Sequence, residues 1–108
     1  MSKKKKNPPV LTGKQARFLR GLGHHLEPAV MIGREGVSDP VLASLEDSLT
    51  AHELVKVKIQ QTCPNDRFEV GELLSREAAA AIVQTLGKTI LLYRPNKDMP
   101  SDRAIHLP

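Results

Sequence analysis

Ala29-Val30-Met31-Ile32-Gly33-Arg34-Glu35-Gly36, followed by Ser38-Asp39-Pro40-Val41-Leu42, decides the fold. The four apolar residues, with β-branched Val30 and Ile32 among them, are too few for a helix and suit a buried strand. Gly33 to Gly36 is then a turn. Ser38 or Asp39 caps the next helix, with Pro40 in its first turn, where a missing N–H costs nothing. Val41, Leu42, Leu45 and Leu49 recur at helical spacing and predict that helix over about 39 to 51. Beyond it Leu54 to Ile59 alternates, with Val55, Val57 and Ile59 on one side and Lys56 and Lys58 on the other, which is a strand with a basic face. Strand, helix and strand in this order form a parallel unit joined by a right-handed crossover.

Working outward, Thr12 and Gln15 form a capping-box signature before Ala16, Leu19, Leu22 and Leu26, with Phe18 beside them, and predict a first helix over about 12 to 24. Downstream, Asp66 and Glu69 repeat the signature before a third helix carrying Phe68, Val70, Leu73 and Leu74 and ending near Glu77. Ala79 to Leu86 and Thr89 to Arg94 flank Gly87-Lys88, a two-residue connection suited to a tight hairpin, although the alanines from 78 to 81 would equally prolong the third helix. The order α-β-α-β-α-β-β places the chain in the α/β (α+β) class, with helices packed on a mixed sheet of about four strands.

The 108 residues suffice for one domain. Residues 1 to 9 hold four lysines and two prolines with no apolar side chain beyond Met1, so they are expected to form a disordered basic tail. The folded core is expected over 10 to 95, and 96 to 108 as an irregular, partly mobile extension. The longest strictly apolar run, Ala78 to Val83, is far below the roughly 20 residues that span a bilayer, and Asn7-Pro8-Pro9 stands where a signal peptide needs its apolar stretch. A cytoplasmic protein without membrane partners is expected. The single cysteine, Cys63, excludes an internal disulfide.

Lys3 to Lys6 supply the whole net charge of +4, so the body is polarised rather than basic. Between Val10 and His25 lie Lys14, Arg17 and Arg20 without an acid. Between Gly36 and Glu53 lie Asp39, Glu46, Asp47 and Glu53 without a base. One face should attract polyanions and another repel them.

Gly33-Arg34-Glu35-Gly36 between a strand and a helix N-terminus can bring backbone amides and the helix dipole close to a phosphate. A plain surface turn fits the same residues, and Glu35 repels phosphate where Arg34 attracts it. Lys14, Arg17, Arg20 and His24 fall on one side of the first helix, opposite the leucines. An ordinary solvated face is the alternative, but such faces alternate charge signs. Lys56, Lys58, Lys88 and Arg94 are further candidate cations. Phe18 and Phe68 fall on the predicted buried stripes, and Tyr93, the one ring left that could stack on a base, is expected to pack in the core or at its rim instead; recognition should therefore rest on phosphate, sugar and shape.

Enzyme motifs fail. Gly87-Lys88-Thr89 resembles the end of a phosphate-binding loop, but Ile82 stands where its first glycine is required. His52-Glu53 would open a zinc-protease motif, but Lys56 replaces the second histidine. His24 and His25 are neighbours that point apart. No cofactor or metal is called for.

The first helix with Lys14, Gln15, Arg17, Leu19 and Leu22, then Leu26-Glu27-Pro28, Val30 to Gly36, His52 to Lys58 and Gly87 to Pro95 together resemble the CRM domain, more closely its bacterial single-domain YhbY form. The resemblance covers about residues 11 to 95. It implies an RNA-binding module with a mixed sheet, similar to the C-terminal domain of a bacterial translation initiation factor, acting on precursors of the large ribosomal subunit. It also implies that Gly33, Arg34, Glu35 and Gly36 form the Gly-x-x-Gly loop that contacts RNA, beside the basic first helix. Two departures stand out: Glu77-Ala78-Ala79 replaces the family's Thr-Gly-Ala at the end of the third helix, and the lysine tail is an addition. The expected protein is a non-catalytic monomer that binds rRNA, with ribosomal proteins as further partners. A second reading, an adaptor, would dock a basic assembly protein on Glu46, Asp47 and Glu53.

Overall fold

Thr12 opens the first helix as its sequence requires: its hydroxyl accepts from the Gln15 N–H at 3.1 Å, and the Gln15 side chain accepts from the Thr12 N–H at 3.1 Å. This helix, α1, spans Gly13–Gly23. In the computed structural model, which describes residues 7–108, there follow β1 (Val30–Ile32), α2 (Asp39–His52), β2 (Leu54–Ile59), α3 (Arg67–Ala78), β3 (Ala81–Leu86) and β4 (Thr89–Tyr93). Lys3 to Lys6, the charged part of the expected tail, lie outside the described residues.

The four strands form one mixed sheet in the order β1-β2-β4-β3. β1 runs parallel to β2, with Met31 opposite Lys58, and β4 is antiparallel to both β2 and β3. The hairpin thus inserts β4 into the centre of the sheet, which explains why Ile90-Leu91-Leu92-Tyr93 shows no alternation: it is buried on both faces. On one face Val30, Ile32, Val55, Val57, Ile59, Ile90 and Leu92 pack against Leu45 and Leu49 of α2 and Val70 and Leu74 of α3. On the other, Leu54, Val83, Leu91 and Tyr93 receive Leu19 of α1.

Leu19 is fully buried, worth roughly 1.5–3 kcal/mol relative to exposure, and is the main anchor of α1. Gly23 completes the seat. A Cβ there would run into the Leu91 side chain, so glycine lets the helix backbone lie on the sheet without displacing that leucine. The extension beyond β4 is irregular in backbone, yet Ile105 and Leu107 pack against this second cluster, as Leu11 does before α1.

The boundary that sequence leaves open settles at Ala79. Its left-handed backbone, φ 53° and ψ 45°, stops α3 after Ala78 and delays β3 to Ala81. A residue with a Cβ spends about 1–2 kcal/mol there. The flanking Ala78 and Ala80 are buried, and the Ser75 hydroxyl donates to the Ala80 carbonyl at 2.6 Å, which holds the reversal in place.

Candidate nucleic-acid interface

The Gly33–Gly36 turn closes through a hydrogen bond from the Gly36 N–H to the Gly33 carbonyl at 2.9 Å, with Gly36 at φ +66°. Arg34 and Glu35 at its tip are exposed. The loop between β2 and α3 backs the turn: a Cβ at Gly33 would lie 2.6 Å from Gln60 Oε1, and one at Gly36 3.0 Å from Asn65 Oδ1. Ser38, the N-cap of α2, makes no side-chain cap hydrogen bond, whereas Thr12 and Asp66 close the starts of α1 and α3. The α2 amides beside the turn therefore keep their capacity for an outside acceptor. Glu35 and Asp39 bring negative charge to this corner, so attraction for phosphate depends on the cations around it.

Those cations divide by place. Lys56 pairs with Leu91, and Lys58 with both Met31 and Thr89, so both lysines lie on the sheet face that α1 partly covers. α1 leaves the β1 side of that face open, where Met31 is 54% exposed beside Lys58. The Lys88 carbonyl accepts from the Ile59 N–H at 2.7 Å, so the hairpin tip stands at the same sheet end as the glycine turn. Lys14, Arg17 and Arg20 are all exposed on the outer side of α1, and Gly23, one turn beyond Arg20, sits on the register partner of Lys56. Among the described residues, no ion pair engages these six cations.

Arg94 does not join them. It lies at the opposite sheet end, where its guanidinium donates to both Glu46 oxygens at 2.8 Å and to the Ala78 carbonyl at 2.9 Å. Both of its terminal nitrogens are engaged in tying α2 to the end of α3, so the structure does not bring it together with the other candidate cations. The same contact corrects the acidic docking face, because Glu46 is neutralised by Arg94. Glu53 is buried at 3% exposure, with its oxygens accepting from the Asn96 and Ile105 N–H groups at 2.7 Å each. Of the three acids only Asp47 remains a free surface charge.

Hydrogen bonding to Arg94 holds the Glu46 carboxyl below its ordinary 4.5; burial opposes this and the Arg94 charge assists it. A pKa lowered by folding means that the contribution is complete above 4.5 and fades as pH falls through the folded-state value. Urea denaturation is expected to show stability declining below about pH 4.5, with Glu46→Gln flattening that part of the profile.

The aromatic residues are also placed differently. The apolar stripe predicted for α3 does not include Phe68, which is 62% exposed; two residues before buried Val70, it is turned by about 200° around the helix. Phe18 is 39% exposed, whereas Tyr93 is buried in the core, the packing expected of it ahead of stacking. Arg67 covers the Phe68 ring, its guanidinium carbon 4.9 Å from the centroid. Gln60 and Asn65 are thus neighbours of the turn, and Arg67 and Phe68 lie beside those two, none of them read from the sequence as part of an interface. For Phe68 the spacing to Val70 was the available signal.

A family model described as the CRS1 / YhbY (CRM) domain matches residues 11–94. A Bacillus subtilis protein named "Probable RNA-binding protein YqeI" is 41% identical over 99 residues, covering 92% of this chain and all of that one. A Haemophilus influenzae protein named "RNA-binding protein" is 43% identical over 89 residues, covering 82% of this chain and 90% of its own. The solution structure of the hypothetical protein SAV1595 from Staphylococcus aureus superposes with a TM-score of 0.76 at 36% identity, over 92% of this chain and all of that one. With the family model matched across the folded core and a relative of the same fold at 36% identity, the chain belongs to the CRS1/YhbY (CRM) domain family.

Proposed function

We propose that the protein is a non-catalytic RNA-binding factor that, as a cytoplasmic monomer, engages rRNA in precursors of the large ribosomal subunit, where ribosomal proteins are its neighbours. The observation that carries the reading is the Gly33–Gly36 turn, whose Arg34–Glu35 tip is exposed while Gly36 is buried, set at the same sheet end as Lys58 and Lys88. Turn amides and the uncapped start of α2 hold backbone phosphates, and Lys14, Arg17 and Arg20 lengthen the contact across α1. RNA as the partner class agrees with the names of the relatives. The ribosomal destination rests on the family resemblance.

Crosslinking in cells, followed by sequencing of the attached RNA, tests this with the wild-type protein and Gly36→Val. A side chain at φ +66° is strained by about 1–2 kcal/mol and presses on Asn65, which distorts the turn while leaving both cores intact. Reads should concentrate in large-subunit rRNA and its precursors and fall several-fold for the variant. Reads spread over messenger RNA, or a folded variant that crosslinks like wild type, would overturn the assignment.

A further inference from the structure

Beside the glycine turn, a cleft of about 260 Å3 opens between the β2–α3 loop, the start of α3 and the hairpin tip. Phe68, Arg67, Gln60, Gln61, Asn65 and Lys88 are among the residues that line it. Arg67 is pinned in place, since Nη1 donates to the Gly87 carbonyl at 3.3 Å while the guanidinium covers the ring. The backbone under Phe68 is equally fixed, because its N–H donates to Asp66 Oδ1 at 2.8 Å.

The chemistry selects a neutral, flat occupant. Asp66 already fills the anion position at the start of α3, accepting from the Phe68 and Glu69 N–H groups, so a phosphate is disfavoured inside the cleft. An exposed ring stacked with a guanidinium offers a π surface, and primary amides offer both donors and acceptors to a base edge. Gln60 and Asn65 line the cleft and also back Gly33 and Gly36, so cleft and turn share a wall. We propose that the cleft is a stacking subsite for one unpaired base of the RNA strand whose phosphates lie at the turn. The inference rests on the RNA-binding reading and adds to it a preference for single-stranded or looped RNA.

Binding of a mixed-sequence single-stranded ribo-oligonucleotide and of an RNA duplex to the full chain tests the subsite. Phe68→Ala should weaken single-strand binding by about tenfold, leave the duplex affinity and the salt dependence unchanged, and melt like wild type, whereas Phe68→Tyr should bind like wild type. The chain has no tryptophan, so Phe68→Trp introduces a single indole whose emission the single strand should quench and the duplex should not. If Phe68→Ala binds the single strand like wild type, or loses both RNAs equally, the subsite is refuted. The phosphate reading then still stands if Arg17→Ala and Arg20→Ala weaken binding. Wild-type protein that binds neither RNA would refute both.

Discussion

Arg17→Ala combined with Arg20→Ala is expected to weaken RNA binding by about 25- to 60-fold at roughly 0.1 M salt. Each phosphate that loses its cation removes about 0.7 (single strand) to 0.9 (duplex) from the slope of log affinity against log salt, so two contacts remove about 1.4 to 1.8. Extrapolated from 1 M to about 0.1 M salt, that slope change is itself the affinity loss. Both side chains are exposed and, among the described residues, without ion-pair partners, so their removal takes no packing from the core. Alanine also favours the helix slightly more than arginine does. Filter binding or fluorescence anisotropy over a salt series reads both numbers at once. A variant that keeps the wild-type slope would show that the outer side of α1 does not meet phosphate.

What makes this helix suited to the task is legible in its sequence. Its N-terminal cap uses Gln15 where a glutamate is the commoner choice, and its first turn carries no acid. The cap is thereby satisfied without placing a carboxylate beside Lys14. β2 is legible to the residue, because Val55, Val57 and Ile59 must go to one face and Lys56 and Lys58 to the other. The glycine turn is legible because it is bounded by a strand and a proline-started helix. All three depend on neighbours within a few residues of one another.

The failures have a common physical origin in contacts remote along the chain. Arg94 reads as a free cation and Glu46 as a free acid until a pairing across 48 positions brings them together. The insertion of β4 between β2 and β3 is likewise a tertiary outcome, since the same hairpin would satisfy its own turn at the sheet edge. Phe68 differs, because its exposure follows from helical geometry alone. It lies about 200° from Val70, and treating every apolar residue of the segment as one stripe hides it. Gln60 and Asn65 carry no signal of their own; they matter because the loop after β2 folds back against the turn after β1.

Glu53→Ala is expected to cost about 3 kcal/mol of stability, which for a domain of this size lowers the melting temperature by about 15 °C. Glu53 ends α2 with φ 65°, its N–H donating to the Leu49 carbonyl and its carbonyl accepting from Arg94, both at 2.8 Å. Alanine keeps these backbone bonds and leaves the Asn96 and Ile105 N–H groups without an acceptor, at about 1–3 kcal/mol each where water is excluded. Glu53→Gln should recover less than half of the loss, since its single oxygen replaces one acceptor and its NH2 faces the other N–H. Ile105 and Leu107 pack against the cluster that seats Leu19, so freeing the extension also loosens the seat of α1, and amide exchange should quicken from Ile105 back into that helix. RNA affinity should then fall modestly with an unchanged salt slope, because the cations proposed to meet phosphate remain and only their alignment suffers. That pattern separates a positioning defect from the loss of contacts in the arginine variants. A Glu53→Ala protein within about 1 kcal/mol of wild type would mean that the buried carboxylate does not hold the extension in place.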